Sequence, residues 1–174
     1  MKEKFYLLIA GGRDFVDYRL LKEKCDFILK NQSNKEIVIV NGLAKGADTL
    51  GKLYALDNGF QTVDFKPDWS LGKIAGIKRN QEMAYFLKQQ KNYGCICFWD
   101  TKSRGTKSMI NICIKEKIPY RVYNYNSSEE SKNTSIGISK NGNMYVVFQN
   151  KNLTSKQQYL REVLEKNNVF YLIQ

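Results

Sequence analysis

Apolar and polar positions follow two rhythms along this chain, and the rhythm changes at short polar breaks. Phe5 to Ala10 is a continuous apolar run of the kind carried by a strand buried on both faces, and it stops at Gly11-Gly12-Arg13-Asp14-Phe15. From about Asp17 to Lys30 the spacing becomes helical, with Leu21, Cys25 and Ile28 on one face. Ile37 to Val40 is a second apolar run, followed by Asn41-Gly42-Leu43-Ala44-Lys45-Gly46-Ala47-Asp48. Leu50, Leu53 and Tyr54 then share a face of a helix that ends at Asn58-Gly59, a C-cap signal. Gln61 to Phe65 reads as a third strand, stopped by Pro67. A polar loop with Trp69 and Gly72 leads into a helix from Ile77 to about Gln90, and Gly94 to Trp99 is the fourth strand. After the loop Asp100 to Thr106, a helix carries apolar residues on several sides (Met109, Ile110, Ile112, Cys113, Ile114), which predicts that it is buried. Tyr120 to Tyr123 is the fifth strand.

Five apolar strands alternating with four helices predict an α/β fold with a doubly wound, mostly parallel five-stranded sheet. In such sheets ligands bind beyond the carboxyl ends of the strands, where each of the polar loops falls. The reading divides the chain into a domain over 1–123, a polar linker over 124–135 and a small extension over 136–174. In the extension, Ile136 to Ser139 and Met144 to Phe148 flank Asn141-Gly142, which predicts a hairpin with a type I′ turn. Thr154 with Gln157 forms a capping box for a helix bearing Tyr159, Leu160, Val163 and Leu164, and Val169 to Ile173 completes a ββαβ pattern.

Composition removes several chemistries. The chain of 174 residues contains no histidine, which excludes Ser-His-Asp triads, His-assisted cysteine catalysis and His-based metal sites. Cys25, Cys95, Cys97 and Cys113 show neither disulfide-scaffold density nor CxxC spacing, and Cys95 and Cys97 fall on one face of a strand as core residues. No metal site is expected. No apolar run approaches a spanning helix or a secretory h-region, so no membrane partner is expected and a cytoplasmic location is.

The formal net charge of +11 comes mostly from lysine in a chain also rich in Asn, Ile and Tyr. Its placement matters more than its size. Arg13, Lys45, Lys73, Lys78, Arg79, Lys102, Arg104 and Lys107 fall in or beside strand-to-helix loops, where a positive rim attracts a nucleotide or a nucleic-acid backbone.

Each loop has a functional and a merely structural reading. Gly11-Gly12-Arg13-Asp14 is either a tight turn or a close approach to phosphate or ribose with Arg13 supplying charge. In Asn41 to Asp48, two glycines four apart suit a phosphate held by N–H groups and the positive end of a helix. Asp48 in the first helical turn either favours the helix dipole, or accepts from ribose hydroxyls or positions an arginine. Arg79 and Glu82, with Asn80 between them, are three apart near a helix start. A surface pair there contributes only about 0.2–0.5 kcal/mol, and an arginine opposing the dipole points to an anion. Asp100, Ser103, Arg104, Gly105, Thr106 and Lys107 make a phosphate cradle without the spacing of a Walker A motif. Trp69 and Trp99 are either core or rim residues, or platforms for a base.

In order and spacing, the GGRDF opening, the NGLAKGAD loop, the GIKRNQEM helix start and the SRGTK turn resemble the SLOG superfamily, in its YspA-like, YpsA-related branch, over residues 5–123. The resemblance implies a Rossmann-like fold and a nucleotide ligand with no required cofactor. Relatives diverge in activity. The lonely-guy phosphoribohydrolases cut the N-glycosidic bond of nucleoside monophosphates with a glutamate in PGGxGTxxE. Here Gly105-Thr106 is retained, Met109 stands at the glutamate position, and Arg79 resembles the assisting arginine. DNA-processing protein A binds single-stranded DNA, and its SGxAxGID loop is similar to Asn41–Asp48. Other SLOG domains look like sensors of ADP-ribose-type or NAD-derived nucleotides in phage–bacterium conflict.

The expectation is therefore a protein that recognises a phosphorylated-ribose ligand as a sensor or sequestering protein, working as a homo-oligomer. Two alternatives remain open: an N-glycosidic hydrolase using Arg79, Glu82 and Asp48, and a single-stranded nucleic-acid binder.

Overall fold

A computed structural model describes the whole chain, Met1–Gln174. Its first part alternates as expected: β1 (Lys4–Gly11), α1 (Tyr18–Leu29), β2 (Glu36–Asn41), α2 (Ala47–Asn58) and β3 (Gln61–Asp64). A 3-10 helix (Trp69–Ile74) runs directly into α3 (Ala75–Lys88), followed by β4 (Tyr93–Trp99), α4 (Arg104–Glu116) and β5 (Tyr120–Asn124). The five strands form one sheet in the order β3-β2-β1-β4-β5, with every pairing parallel. Strand order reverses between β1 and its two neighbours, which opens a crevice at their carboxyl ends.

Period-two alternation splits the strands between two cores. Leu7, Ile9, Ile39, Ile96 and Phe98 pack on one face against Leu21, Cys25, Leu50, Leu53 and Tyr54 of α1 and α2. Leu8, Ala10, Val40, Cys95 and Cys97 pack on the other against Met83, Ala84 and Leu87 of α3 and Met109 and Cys113 of α4. The sulfurs of Cys95 and Cys97 are 3.7 Å apart, on the one face that their spacing requires.

Helix ends are fixed by the residues the sequence supplies. The Asp17 carboxylate accepts from Leu20 N–H (3.1 Å) at the start of α1, and Gly59 closes α2 in the left-handed region at φ 68°. Helix α4 departs from expectation. Thr106, Met109 and Cys113 face the core, whereas Ile114 is 56% exposed, so α4 is an amphipathic cover at the sheet's outer side and not a buried helix.

The remainder comprises a short helix α5 (Glu129–Asn133) within the stretch read as linker, then β6 (Thr134–Ile138), β7 (Met144–Phe148), α6 (Ser155–Lys166) and β8 (Tyr171–Ile173). Strand β7 pairs antiparallel with β6 and parallel with β8. The capping box forms: Gln157 N–H donates to Thr154 Oγ1 (3.3 Å) and Thr154 N–H to Gln157 Oε1 (2.9 Å). The hairpin turn differs from the type I′ expectation. Only Gly142 takes a positive φ, Gly142 N–H donates to the Ser139 carbonyl (2.9 Å), and Ser139 N–H donates to the Asn143 carbonyl (2.8 Å). This is a three-residue loop with Gly142 as the left-handed bulge residue, and Asn141 is spared positive φ. Ile136, Val146, Phe148, Leu160, Val163 and Leu164 bury into the same core as α1 and α2.

Candidate functional site

The loops after β1, β2 and β4 and the start of α3 converge on a cleft of about 650 Å³ at the carboxyl end of the sheet. Its lining includes Gly11, Gly12, Arg13 and Asp14 from the first loop, Ala44 and Asp48 from the second, and Arg79 and Asn80 from α3. Asp100, Ser103, Arg104, Gly105 and Thr106 close it from the fourth loop. A second groove of about 700 Å³, between α2 and the extension, has Lys52 as its one charged residue.

Arg79 is the organising side chain. Only 11% of it is exposed, and it meets Asp48, of which 7% is exposed, at 4.0 Å. Its Nε donates to Asn80 Oδ1 (3.2 Å) and its Nη1 to the Gly42 carbonyl. Asn80 in turn donates from Nδ2 to the Gly105 carbonyl (3.2 Å), which ties the arginine to the first turn of α4. No protein group accepts from Nη2, so the guanidinium is held through Nε and Nη1 and keeps Nη2 unpaired in a side chain that lines the cleft. The chain passes close to this pair at Gly42. A Cβ there would lie 2.6 Å from Arg79 Nη1 and 2.8 Å from Asp48 Oδ2.

Both partners are electrostatically strained by this arrangement. Burial pushes the Asp48 carboxyl above its usual range, with Arg79, the Ala44 N–H (3.1 Å) and Arg13 only partly offsetting it. Burial likewise depresses the Arg79 pKa, with Arg13 adding to the effect and Asp48 opposing it. Desolvation thus outweighs attraction on both sides, the signature of a buried pair that adds little net stability.

The second loop corrects an expectation. Gly46 N–H donates to the Ile136 carbonyl (3.3 Å), Ala47 N–H to the Gly12 carbonyl (3.1 Å) and Ala44 N–H to Asp48. Those groups are taken, so the start of α2 does not hold them out to a phosphate. Its glycines serve packing, and Asn41, Gly42 and Gly46 are buried supports that do not line the cleft.

The start of α4 behaves differently. Ser103 caps it, with Oγ 3.5 Å from Thr106 N–H and 3.1 Å from Thr106 Oγ1. The first intrahelical bond runs from Lys107 N–H to the Ser103 carbonyl, which leaves the N–H groups of Arg104 and Gly105 without intrahelical acceptors. The loop before it carries backbone strain: Thr101, a β-branched residue, sits at φ 68°. Asp100 Oδ1 holds that turn by accepting from Lys102 N–H (2.9 Å) and Ser103 N–H (2.7 Å). Burial opposes ionisation of Asp100, but these N–H donors prevail and bring its pKa below the usual carboxylate range.

Several residues expected at the site lie elsewhere. Glu82 is exposed on a shallow surface beside Phe65, Tyr85 and Phe86, because three residues along a helix leave it about 60° away from Arg79. Trp69 is 59% exposed on the 3-10 helix outside the cleft. Trp99 is likewise outside the lining and donates from Nε1 to the Ser103 carbonyl (3.0 Å), bracing the fourth loop. Lys45 and Lys107 are exposed and do not line the cleft. Asp14 lines it with both oxygens engaged, by the Tyr125 hydroxyl and the Ser127 hydroxyl. The structure adds Lys73, Ile77, Met83, Ser108 and Met109 to the lining. Helical spacing carries the signal for the two methionines: Met83 lies four residues after Arg79, and Met109 three after Thr106.

No helix is long and apolar enough to cross a membrane. No curated protein matches this chain. One solved structure, described as a predicted subunit of tRNA methyltransferase from Methanocaldococcus jannaschii, is 12% identical, with 96% of this chain and 89% of that one covered at a TM-score of 0.37. Residues 5–72, which carry the first two loops and reach into the 3-10 helix, match the model of YAcAr, the YspA, cpYpsA-related SLOG family.

Proposed function

We propose that the cleft binds a nucleotide through its phosphorylated ribose, an ADP-ribose-type, NAD-derived or cyclic nucleotide, and that the protein senses or sequesters this ligand without turning it over. The observation that carries the reading is the Arg79 guanidinium, buried at some electrostatic cost, held through Nε and Nη1 and unpaired at Nη2. An anion bridging Arg79 Nη2 and the first N–H groups of α4 would relieve that cost and satisfy donors that the fold leaves free. Arg13, Lys73 and Arg104 around the same cleft add to its attraction for anions. Assignment of residues 5–72 to a SLOG family supports a nucleotide-type ligand.

The carboxylates favour binding over hydrolysis. Met109 lines the cleft where the related hydrolases carry glutamate, and Glu82 lies outside it. Asp14 is engaged by two hydroxyls and Asp100 is kept ionised by backbone donors. Asp48 alone has the raised pKa of a general acid, and its place beside Arg79 is the one observation that favours N-glycosidic hydrolysis.

Calorimetric titration with ADP-ribose and AMP tests the reading, with chromatography of the recovered ligand. Binding of intact nucleotide, weakened at least tenfold in Arg79→Lys, is the expected result. Absence of binding, or steadily accumulating free base that vanishes in Asp48→Asn, refutes it.

A further inference from the structure

The cleft proposed to bind an anion also contains a negative charge whose second oxygen is left over. Asp100 lines it, and both backbone donors of its own loop, Lys102 N–H and Ser103 N–H, go to Oδ1. No other residue donates to Oδ2, and no lysine or arginine forms an ion pair with this carboxylate. Asp14, from the facing loop, has each oxygen filled by a hydroxyl, and the charge of Asp48 is met by Arg79. Lys102 acts on Asp100 only at longer range, so among the carboxylates of the cleft Asp100 has no ion-pair contact and keeps an oxygen to which no other residue donates.

Holding the turn would need only one oxygen and no charge. An asparagine caps an Asx turn as well as an aspartate does, without repelling a phosphate nearby. The turn that Asp100 pins is strained at Thr101, so the carboxylate is held in place by structure that has a cost of its own. A charged acceptor in an anion-binding cleft suits a ligand that brings hydroxyl donors close to its phosphate. A ribose does so with its vicinal diol, which a carboxylate can accept directly.

We infer that Asp100 Oδ2 reads a ribose hydroxyl of the bound nucleotide and is the residue that separates ribonucleotides from deoxyribonucleotides. This rests on the phosphorylated-ribose reading of the cleft. Two effects of opposite sign follow. Toward a ligand with the diol, Asp100 supplies a charge-assisted hydrogen bond; toward a bare anion, it contributes only repulsion.

The test is titration of the wild-type protein and Asp100→Asn with AMP, 2′-deoxy-AMP, 3′-deoxy-AMP and inorganic pyrophosphate. Asparagine keeps Oδ1 for the two N–H groups, so the turn survives, and an unchanged melting temperature verifies it. Wild-type protein is expected to favour AMP over at least one deoxy analogue by roughly ten- to a hundredfold, the range of a hydrogen bond to a charged group. In Asp100→Asn that preference should fall to within about threefold while pyrophosphate binds as tightly as before or tighter. A residue that merely braced the loop would weaken all four ligands together, and that outcome overturns the inference. Equal wild-type affinity for AMP and both deoxy analogues also overturns it, leaving the nucleotide reading intact. If neither AMP nor ADP-ribose binds, the nucleotide reading itself fails and this inference falls with it.

Discussion

Replacing Arg79 should separate what the buried pair does for stability from what it does for binding. At 4.0 Å from Asp48, the Coulomb attraction is about 4 kcal/mol for an effective dielectric constant near 20. In Arg79→Met that attraction disappears while the carboxylate stays buried, so unfolding free energy should fall by roughly 3–5 kcal/mol. For a chain of this size each kcal/mol moves the melting temperature by about 2–4 °C, which places the variant on the order of 10 °C or more below wild type at pH 8. Asp48→Asn in the same chain removes the orphaned charge and still offers an acceptor to Ala44 N–H. The double variant should recover to within about 1 kcal/mol of wild type, because desolvation already outweighs attraction in the native pair. Nucleotide binding should not recover. The pH dependence has a definite sign. A folded-state Asp48 pKa above its ordinary 3.8 means that the native state holds the proton more tightly, so stability falls as pH rises from about 3.8 through the folded pKa. Loss of Arg79 raises that folded pKa further and extends the window upward, so the deficit of Arg79→Met should shrink on acidification from pH 8 to pH 5. Thermal melts at the two pH values measure this. A single variant as stable as wild type at pH 8, or a double variant no better than the single, refutes the account.

Two further outcomes follow from the packing. Gly46→Ala places a methyl group at φ 73°, with its Cβ 2.3 Å from the Gly12 carbonyl oxygen and 2.5 Å from that of Arg13. Both are backbone, so the variant should lose at least about 2 kcal/mol in urea denaturation, and wild-type stability would contradict the close approach. Truncation after residue 124 strips Ile136, Val146, Phe148 and Leu160 from the shared core and removes the acceptor of Gly46 N–H, so the shortened chain should fail to fold cooperatively by circular dichroism. A sharp, wild-type-like transition would show that the first 124 residues are self-sufficient.

What the sequence makes legible is periodic. Strand runs such as Phe5–Ala10 and Ile37–Val40 declare themselves because both faces of a parallel sheet are buried, and the glycine and capping signals then place the breaks between them. The chemistry of the breaks is harder to read. Asn41 to Asp48 has the composition of a phosphate loop, yet the N–H groups of Gly46 and Ala47 go to the carbonyls of Ile136 and Gly12. One of those partners lies about ninety residues away and the other in a different loop, so no local pattern announces them. Helix α4 misleads for a related reason: several isoleucines suggest burial, but only Thr106, Met109 and Cys113 are fully buried, while Ile110 and Ile112 pack at the margin of the core and Ile114 is exposed.

Arg79 is the instructive case. Local spacing pairs it with Glu82, whereas the structure pairs it with Asp48, thirty-one positions earlier, through a backbone that comes close at Gly42. The sequence does hold the parts of that arrangement: an arginine just past the first turn of α3, which starts at Ala75 and not at the expected Ile77, an aspartate in the first turn of α2, and a glycine where the chain leaves β2. Each has an adequate local explanation, and only their convergence across the crevice at β1 gives them a joint one. The sheet order brings the loops of β1, β2 and β4 together, and the side chains that meet there adopt an arrangement that stability alone would not select. A buried, desolvated guanidinium with Nη2 unpaired, sharing a cleft with a carboxylate that has no ion-pair contact, is an arrangement that the requirements of folding do not explain and that the proposed ligand, carrying both an anion and a hydroxyl, would.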